Sequence, residues 1–292
     1  MSYSNYQQTV IINNVALSGV ESVDGSYGIS ERPIRVAGVG FIDALVNQPL
    51  EGNFSISRKM VSRDPLLALD GDSYAYDEQE ISGAILYDDA TKGFGFTKGR
   101  VNKYSVSCGV GDIPNIQTDI TVYGNLGKDV LVEQATVSHP PIQFPDQSSI
   151  SINVSDFQID AISDFSYSRA LNLNPVYALP KGEESDWNNS DPPSTPNMEP
   201  VQIDTQYPIE TDISFTMIAN EYQIREMKDR VAAAPKSTVV IEIKDAKDGS
   251  MINSFTGQNV RLISESVQSS VAGEMAISLS YKGYETLHNP AS

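Results

Sequence analysis

The feature that most constrains this chain is an internal repeat, in which the apolar pattern of the first half returns in the second half. An offset of 142 residues, which places Ile12 over Val154, aligns the start of one half with the start of the other. The same offset brings the segment that begins at Pro33 over the segment that begins at Pro175. Ordered matches of this kind are typical of a duplicated structural unit. The sequence therefore predicts two tandem copies of one domain.

Farther along the chain the offset grows by 17 residues, and the matches then continue. Three later pairs of segments share their apolar pattern at this offset: residues 50–56 with 209–215, 101–107 with 260–266, and 116–124 with 275–283. An insertion in the second half accounts for the change. It spans residues 181–200 and is acidic and rich in Pro, Ser and Asn. Such a segment buries little apolar surface, so we expect an exposed excursion.

The join between the two copies is marked by His139 and the prolines that follow it, Pro140 and Pro141. Paired prolines favour an extended linker. We therefore expect a first domain at residues 1–138 and a linker at 139–149. The second domain then spans residues 150–292 and contains the insertion.

Both halves contain runs in which apolar and polar residues alternate, for example residues 117–123 and 238–244. Alternation with Val, Ile, Thr and Tyr is typical of half-buried β-strands. One amphipathic helix is predicted at residues 221–234, with a shorter counterpart at 64–69 that has Asp64 as its N-cap. The predicted fold is mainly β (α+β), with two tandem antiparallel β-sandwich or half-barrel domains and about one helix in each.

The charge balance is strongly acidic, with 38 Asp and Glu against 20 Lys and Arg and a net charge of −18. A surface of this sign repels phosphate, which argues against nucleic-acid binding through a basic patch and against anionic lipid. A single cysteine excludes an intramolecular disulfide. The sequence has no secretory signal and no apolar run long enough for a membrane helix. We expect a soluble protein made in a cytoplasm.

Residues that could carry catalysis or bind a cofactor are scarce. His139 and His288 have no metal-ligand spacing to a second His or Cys, and Cys108 lies in a strand-like run that favours a small core residue over a nucleophile. Residues 38–43 lack the third glycine of a dinucleotide motif. The acidic residues 70–78 lack the glycine that a calcium loop has at its sixth position. The sequence therefore predicts no enzymatic activity, no cofactor and no metal site.

The last third of each half resembles the tail tube proteins of bacteriophages. In the first half, residues 103–114 form a strand and a turn of small residues, followed by a long alternating strand that ends at Gly124. Residues 264–273 and the strand after them repeat this arrangement in the second half. The apolar opening of each half is also similar to that family. Many members carry one such domain, whereas this chain carries two.

The resemblance implies a structural subunit of a phage tail tube. Single-domain members form six-membered rings whose inner strands close into one barrel, so a chain with two copies would form a pseudo-sixfold trimeric ring. The rings would stack into a tube through which viral DNA passes without sequence-specific binding. Implied partners are further copies of the chain and the tape measure, terminator and tip proteins. The implied location is the tail of the virion, assembled in the host cytoplasm, with no membrane contact.

Candidate assembly residues follow from the same resemblance. They lie on the long strand that ends each half, with one aromatic residue in the insertion: Ile116, Ile120, Val122, Met275, Ile277, Leu279, Tyr281 and Trp187. We expect residues 50–82 and 181–200 to contribute contacts between rings. The excess of acidic residues suggests an acidic wall along which a duplex slides, because a basic wall would hold it through phosphate contacts.

Two other functions fit the sequence. A tail-tip hub or adaptor would use the same duplicated domains in a trimeric ring that does not polymerise. A β-sandwich adhesin or carbohydrate-binding module would need aromatic clusters in its loops, where the chain offers Trp187, Tyr74 and Tyr76.

Overall fold

A computed structural model of the chain describes most of both halves. The described residues are 8–28, 31–34, 44–47, 51–68, 80–87, 92–128, 130, 138–145, 149–154, 157–159, 162–177, 200–218, 236–269 and 275–285. Within these ranges the chain is almost entirely β-structure, as the alternating pattern predicts. No helix in the described part is long and apolar enough to cross a membrane.

Over its described residues, the first half contributes ten strands and one helical turn. In chain order they are β1 (Thr9–Ile12), β2 (Val15–Ala16), β3 (Val20–Gly28), β4 (Glu31–Ile34), β5 (Ala44–Asn47), β6 (Glu51–Lys59), α1 (Pro65–Ala68), β7 (Ile81–Tyr87), β8 (Lys92–Gly109), β9 (Asn115–Val122) and β10 (Leu126–Lys128).

The second half contributes seven strands over its described residues. They are β11 (Ile150–Val154), β12 (Phe157–Gln158), β13 (Ile162–Val176), β14 (Gln202–Ile218), β15 (Ser237–Lys244), β16 (Met251–Gln268) and β17 (Ala276–Glu285). The strands named in both halves pair antiparallel, fifteen of them in one large sheet, while β4 and β5 form a separate pair.

The two halves have the same strand order. In the first half, neighbouring strands run β2, β1, β7, β8, β9, β6 and β3, and in the second half they run β12, β11, β15, β16, β17, β14 and β13. Irregularities in pairing also recur at matching places. At these places one residue is skipped, which means that it has no partner in the register across the strands. Glu21 of β3 and Ser163 of β13 are skipped in this way, and so are Asn102 of β8 and Ile263 of β16.

These irregularities fix which residues are equivalent. They equate β3 with β13 at the offset of 142 residues that the sequence repeat gives. They place Val101 of β8 over Leu262 of β16, however, and not over Val260 as the sequence alignment predicted. The difference is two residues, which leaves every side chain on the same face of the sheet because strands have a period of two. An apolar pattern alone therefore does not distinguish the two alignments.

The halves are joined edge to edge. Strand β13 pairs with β8 from Asp164 opposite Gly109 to Ala170 opposite Lys103, so the sheet continues from one half into the other. The core is shared in the same way, because the ring of Phe255 on β16 lies 5.1 Å from that of Tyr167 and 6.2 Å from that of Tyr104.

The described residues cover one of the two predicted helices. In the segment predicted at 64–69, Pro65–Ala68 form a helical turn, and Asp64 caps it as expected, accepting a hydrogen bond from the backbone N–H of Leu66 at 2.9 Å. The helix predicted at 221–234 lies outside the described residues.

Candidate assembly surfaces

Eight strands lie side by side across the joint between the halves, and we call them the joined strands: β3, β6, β9, β8, β13, β14, β17 and β16. One of their faces is lined by small polar side chains, and we call it the polar face. A single row of paired residues crosses seven neighbouring strands from β6 to β16: Lys59, Asn115, Ser107, Ser166, Ser214, Ser280 and Ser264. Hydroxyl groups bond across the strands, Ser166 to Ser214 at 2.7 Å and Thr216 to Ser278 at 2.9 Å. The opposite face of the same strands packs into the hydrophobic core.

Acidic and basic side chains are mixed on the polar face. At the paired positions the acidic residues are Asp24, Glu51, Asp119, Asp164, Asp204, Glu210 and Asp212, and the basic residues are Lys59, Arg100, Lys103, Arg261 and Lys282. The Nζ of Lys282 lies 2.9 Å from Glu210, and the hydrogen bond between them raises the pKa of Lys282. The net charge of −18 is therefore not concentrated on the described part of this face.

Two edges of the joined strands have no neighbour within the described chain. Strand β3 pairs with β6 on one side only, and residues 262–268 of β16 pair with β17 on one side only. We call these the β3 edge and the β16 edge. Large apolar side chains are exposed on or beside them: Tyr27, Ile263, Val267 and Tyr284. Unpaired strands that expose apolar side chains are templates for pairing with another chain.

The assembly residues predicted from the sequence lie mostly inside the chain's own core. The six that are buried come from two equivalent strands, β9 and β17: Ile116, Ile120, Val122, Ile277, Leu279 and Tyr281. Met275, just before β17, is exposed, and Trp187 lies outside the described residues. The buried side chains shape the sheet, and the side chains free to meet another molecule are those at the two edges.

The segments predicted to contact the next ring are described only in part. The described residues 51–68 and 80–82 include β6, α1 and the start of β7, while residues 50, 69–79 and 181–199 lie outside the described residues. The same holds for the acidic residues 70–78 and for the glycine-containing segment 38–43. Among the residues that are described, no group of three or more His, Cys, Asp or Glu side chains could hold a metal ion.

Cys108 lies at the end of β8 in a shallow cleft with Lys59, Asp112 and Asp164. Its thiol donates to the carbonyl oxygen of Asp112 at 3.3 Å. Burial and the nearby Asp112 carboxylate raise the pKa of Cys108 to about 11. A thiol with that pKa is protonated at neutral pH and is a weak nucleophile. His139 is exposed, and His288 lies outside the described residues.

Alkylation of Cys108 tests this environment. With iodoacetamide, we expect the rate on the native protein to rise about tenfold per pH unit between about pH 7 and pH 10, because the thiolate fraction grows at that rate below the pKa. Mass spectrometry of the protein at each pH gives the rate, with glutathione as the reference thiol. A rate that levels off near pH 9, as for an unperturbed thiol, would contradict the raised pKa.

A buried ion pair supports the joint between the halves. The guanidinium of Arg58 on β6 pairs with the carboxylate of Asp64, and both side chains are almost completely buried. The hydroxyl of Tyr104 on β8 donates to Asp64 Oδ2 at 2.6 Å. The backbone N–H of Asp64 also donates to the side-chain oxygen of Asn253 on β16, at 3.4 Å. Asp64 thus contacts residues from both halves.

No protein-family model matches the chain, and no curated protein matches its sequence.

Proposed function

We propose that this chain is a structural subunit of a phage tail tube that acts by assembling with itself. The observation that carries the proposal is the edge-to-edge joint between β13 and β8, which links two units of identical strand order and leaves the β3 and β16 edges without a neighbour among the described residues. A sheet that is already continuous across two units can continue across more copies. This agrees with the resemblance of the sequence to tail tube proteins.

Ring closure follows from the physics of open edges. An exposed strand edge can pair with a strand of another molecule, and closing the sheet into a ring pairs the two edges that meet. Three copies would supply six equivalent units, giving a pseudo-sixfold ring. Stacking of rings is a heterologous contact that does not close on itself, so it propagates into a tube.

In this proposal the polar face lines the lumen, where viral DNA passes. Tight phosphate binding requires unpaired Lys and Arg whose contacts release counterions. Here basic side chains have acidic neighbours: Lys282 forms an ion pair with Glu210, and Lys103 lies opposite Asp119 in the strand register. A hydroxyl-rich wall with mixed charges gives DNA few lasting contacts. The proposed wall is therefore balanced in charge over its described part, and not strongly acidic as first expected.

The remaining parts of the proposal follow from the tube. The chain would have no enzymatic activity and no cofactor, and it would reside in the virion tail after assembly in the host cytoplasm. Tape measure, terminator and tip proteins would be its heterologous partners. Neither a membrane nor a specific DNA sequence is needed.

Electron microscopy of the purified full-length protein tests the function. We expect rings with threefold symmetry at low concentration and stacked tubes at high concentration, because ring stacking is a mass-action process. Rings that remain discrete at every concentration would favour a tail-tip hub. Protein that stays monomeric at every concentration would contradict the proposal, and specific binding of such monomers to glycans would favour the adhesin alternative.

A further inference from the structure

We propose that the β3 edge of one copy pairs antiparallel with the β16 edge of a second copy, in the register that β13 and β8 adopt within the chain. The inference rests on the self-assembly in the proposed function, but not on the tail-tube role. The partner it identifies is another molecule of the same protein.

The register follows from the matching irregularities in the two halves. Strand β3 corresponds to β13, since Glu21 is skipped where Ser163 is skipped, and β16 corresponds to β8, since Ile263 is skipped where Asn102 is skipped. Within the chain, Ser168 of β13 lies opposite Ser105 of β8. Transferring the pair to the equivalent positions places Ser26 of one copy opposite Ser266 of the next. The same transfer places Asp24 opposite Gln268 and Gly28 opposite Ser264.

Exposed apolar residues at the two edges support this register. Val106 on β8 is covered by β13 and is 1% exposed, whereas its equivalent on β16, Val267, is 49% exposed. On the other edge, Arg169 of β13 is 2% exposed, and its equivalent on β3, Tyr27, is 59% exposed. Each exposed residue therefore lies where its counterpart is covered by the other half of the chain. A second copy docked in the same way would cover both.

A third pair of equivalent residues gives the same result. Tyr123, which follows β9, is 4% exposed, while its equivalent Tyr284 on β17 is 54% exposed. Burial raises the pKa of Tyr123 to about 12, with Glu51 and Tyr177 contributing, so Tyr177 from the end of β13 lies close to it. A second copy paired at the β16 edge would cover Tyr284 in the same way.

The partner is a second copy because both complementary edges belong to the same chain. The internal joint between β13 and β8 shows that the two edge types fit each other. The β3 and β16 edges are different surfaces, so the contact is head-to-tail, and such contacts form closed rings when the rotation allows. On the polar face, the proposed register places Ser26 of one copy opposite Ser266 of the next. Both side chains are uncharged, so no like charges oppose each other at this position.

Cysteine cross-linking tests the register in the full-length protein. Directly opposed residues of antiparallel strands have Cα atoms about 4.5–5.5 Å apart, which is within the range of a disulfide. In a Cys108→Ser background, we expect Ser26→Cys together with Ser266→Cys to give covalent dimers and trimers on a non-reducing gel. Reductant should return them to monomers.

Two control variants make the result specific. Ser105→Cys with Ser168→Cys is the equivalent pair within the chain, and it should form an intrachain disulfide without covalent oligomers. Ser26→Cys with Ser264→Cys shifts the pairing by two residues to a diagonal separation of about 7–8 Å, so it should cross-link poorly. All the changed residues are serines on the polar face, so each pair alters the surface in the same way.

The outcomes separate this inference from the proposed function. Cross-linking through Ser264→Cys but not Ser266→Cys would overturn the register, as would threefold rings in the microscope without any cross-link at either pair. Covalent trimers from Ser26→Cys and Ser266→Cys without tubes would support the edge pairing while the tail-tube role fails. Protein that stays monomeric and un-cross-linked at all concentrations would overturn both.

Discussion

Replacing Asp64 by asparagine is expected to lower the free energy of unfolding by about 3–5 kcal/mol, the usual cost of leaving a buried charge without its partner. Asparagine keeps the size of the side chain, and its amide oxygen can still accept from the N–H of Leu66. The negative charge is lost, however, and Arg58 is fully buried with Asp64 as its ion-pair partner. Urea unfolding at neutral pH, followed by tyrosine fluorescence and circular dichroism, measures the loss.

The matched control for this change is Asp119→Asn. Asp119 lies on the polar face and accepts a hydrogen bond from Ser55, but it has no buried cation to neutralise. We expect its effect to stay within about 0.5 kcal/mol, as for most exposed substitutions. Equal effects of the two variants would show that the Arg58–Asp64 pair contributes no more to stability than a surface contact.

The internal repeat suggests a compensating change. The position equivalent to Arg58 in the second half is Met217, which is completely buried in the core. Methionine therefore fits this site in the fold, and Arg58→Met removes the charge that Asp64→Asn leaves unpaired. We expect the double variant to recover most of the lost stability, because replacing a whole buried ion pair by apolar groups is often neutral.

Much of the fold could be predicted from residue alternation. Strands such as β6 and β15 bury every second side chain, so their apolar period is visible in the sequence. The repeat also gave the correct equivalence of β3 with β13. It gave the wrong equivalence of β8 with β16, because a slip of two residues preserves the alternation. Only the skipped residues Asn102 and Ile263, which are a property of strand pairing, identify the register.

The candidate site was harder to predict. Alternation shows that β9 and β17 have an apolar face, but it does not show whether that face packs within the chain or against a neighbour. Tyr27 and Val267 are single apolar residues in polar surroundings, and their position on unpaired edges depends on contacts between distant parts of the sequence. Arg58 had a usable signal, because it interrupts an apolar alternation at a position where the repeat has Met217.

Open strand edges carry a cost that the proposed assembly would remove. A protein that remained a monomer would leave Tyr27, Val267 and Tyr284 in water beside unpaired backbone groups, which favours uncontrolled aggregation. Covering the same residues through one defined contact removes that cost and also sets the geometry of the ring. A substitution that destabilises the contact between copies, but not the fold of the free monomer, should therefore separate assembly from folding.

Val267→Lys is such a substitution, and we expect it to prevent ring formation while leaving the monomer folded. In the free chain residue 267 is 49% exposed, so a lysine there remains hydrated and the free energy of unfolding should change by no more than about 0.5 kcal/mol. In the proposed contact it takes the place that Val106 occupies at 1% exposure, where an unpaired ammonium group costs several kcal/mol. A cost of about 3 kcal/mol weakens each contact more than a hundredfold.

Analytical ultracentrifugation against the wild-type protein measures this effect, with Met251→Lys as the matched control. Met251 lies on the same strand and is 45% exposed, but it is at the far end of β16, where the strand pairs with β15. The same change of charge at Met251 should leave the rings intact, because it lies outside the β16 edge. Rings of wild-type affinity from Val267→Lys would show that the β16 edge is not covered by a second copy. Loss of rings in both variants would mean that added charge alone, and not the edge contact, controls assembly.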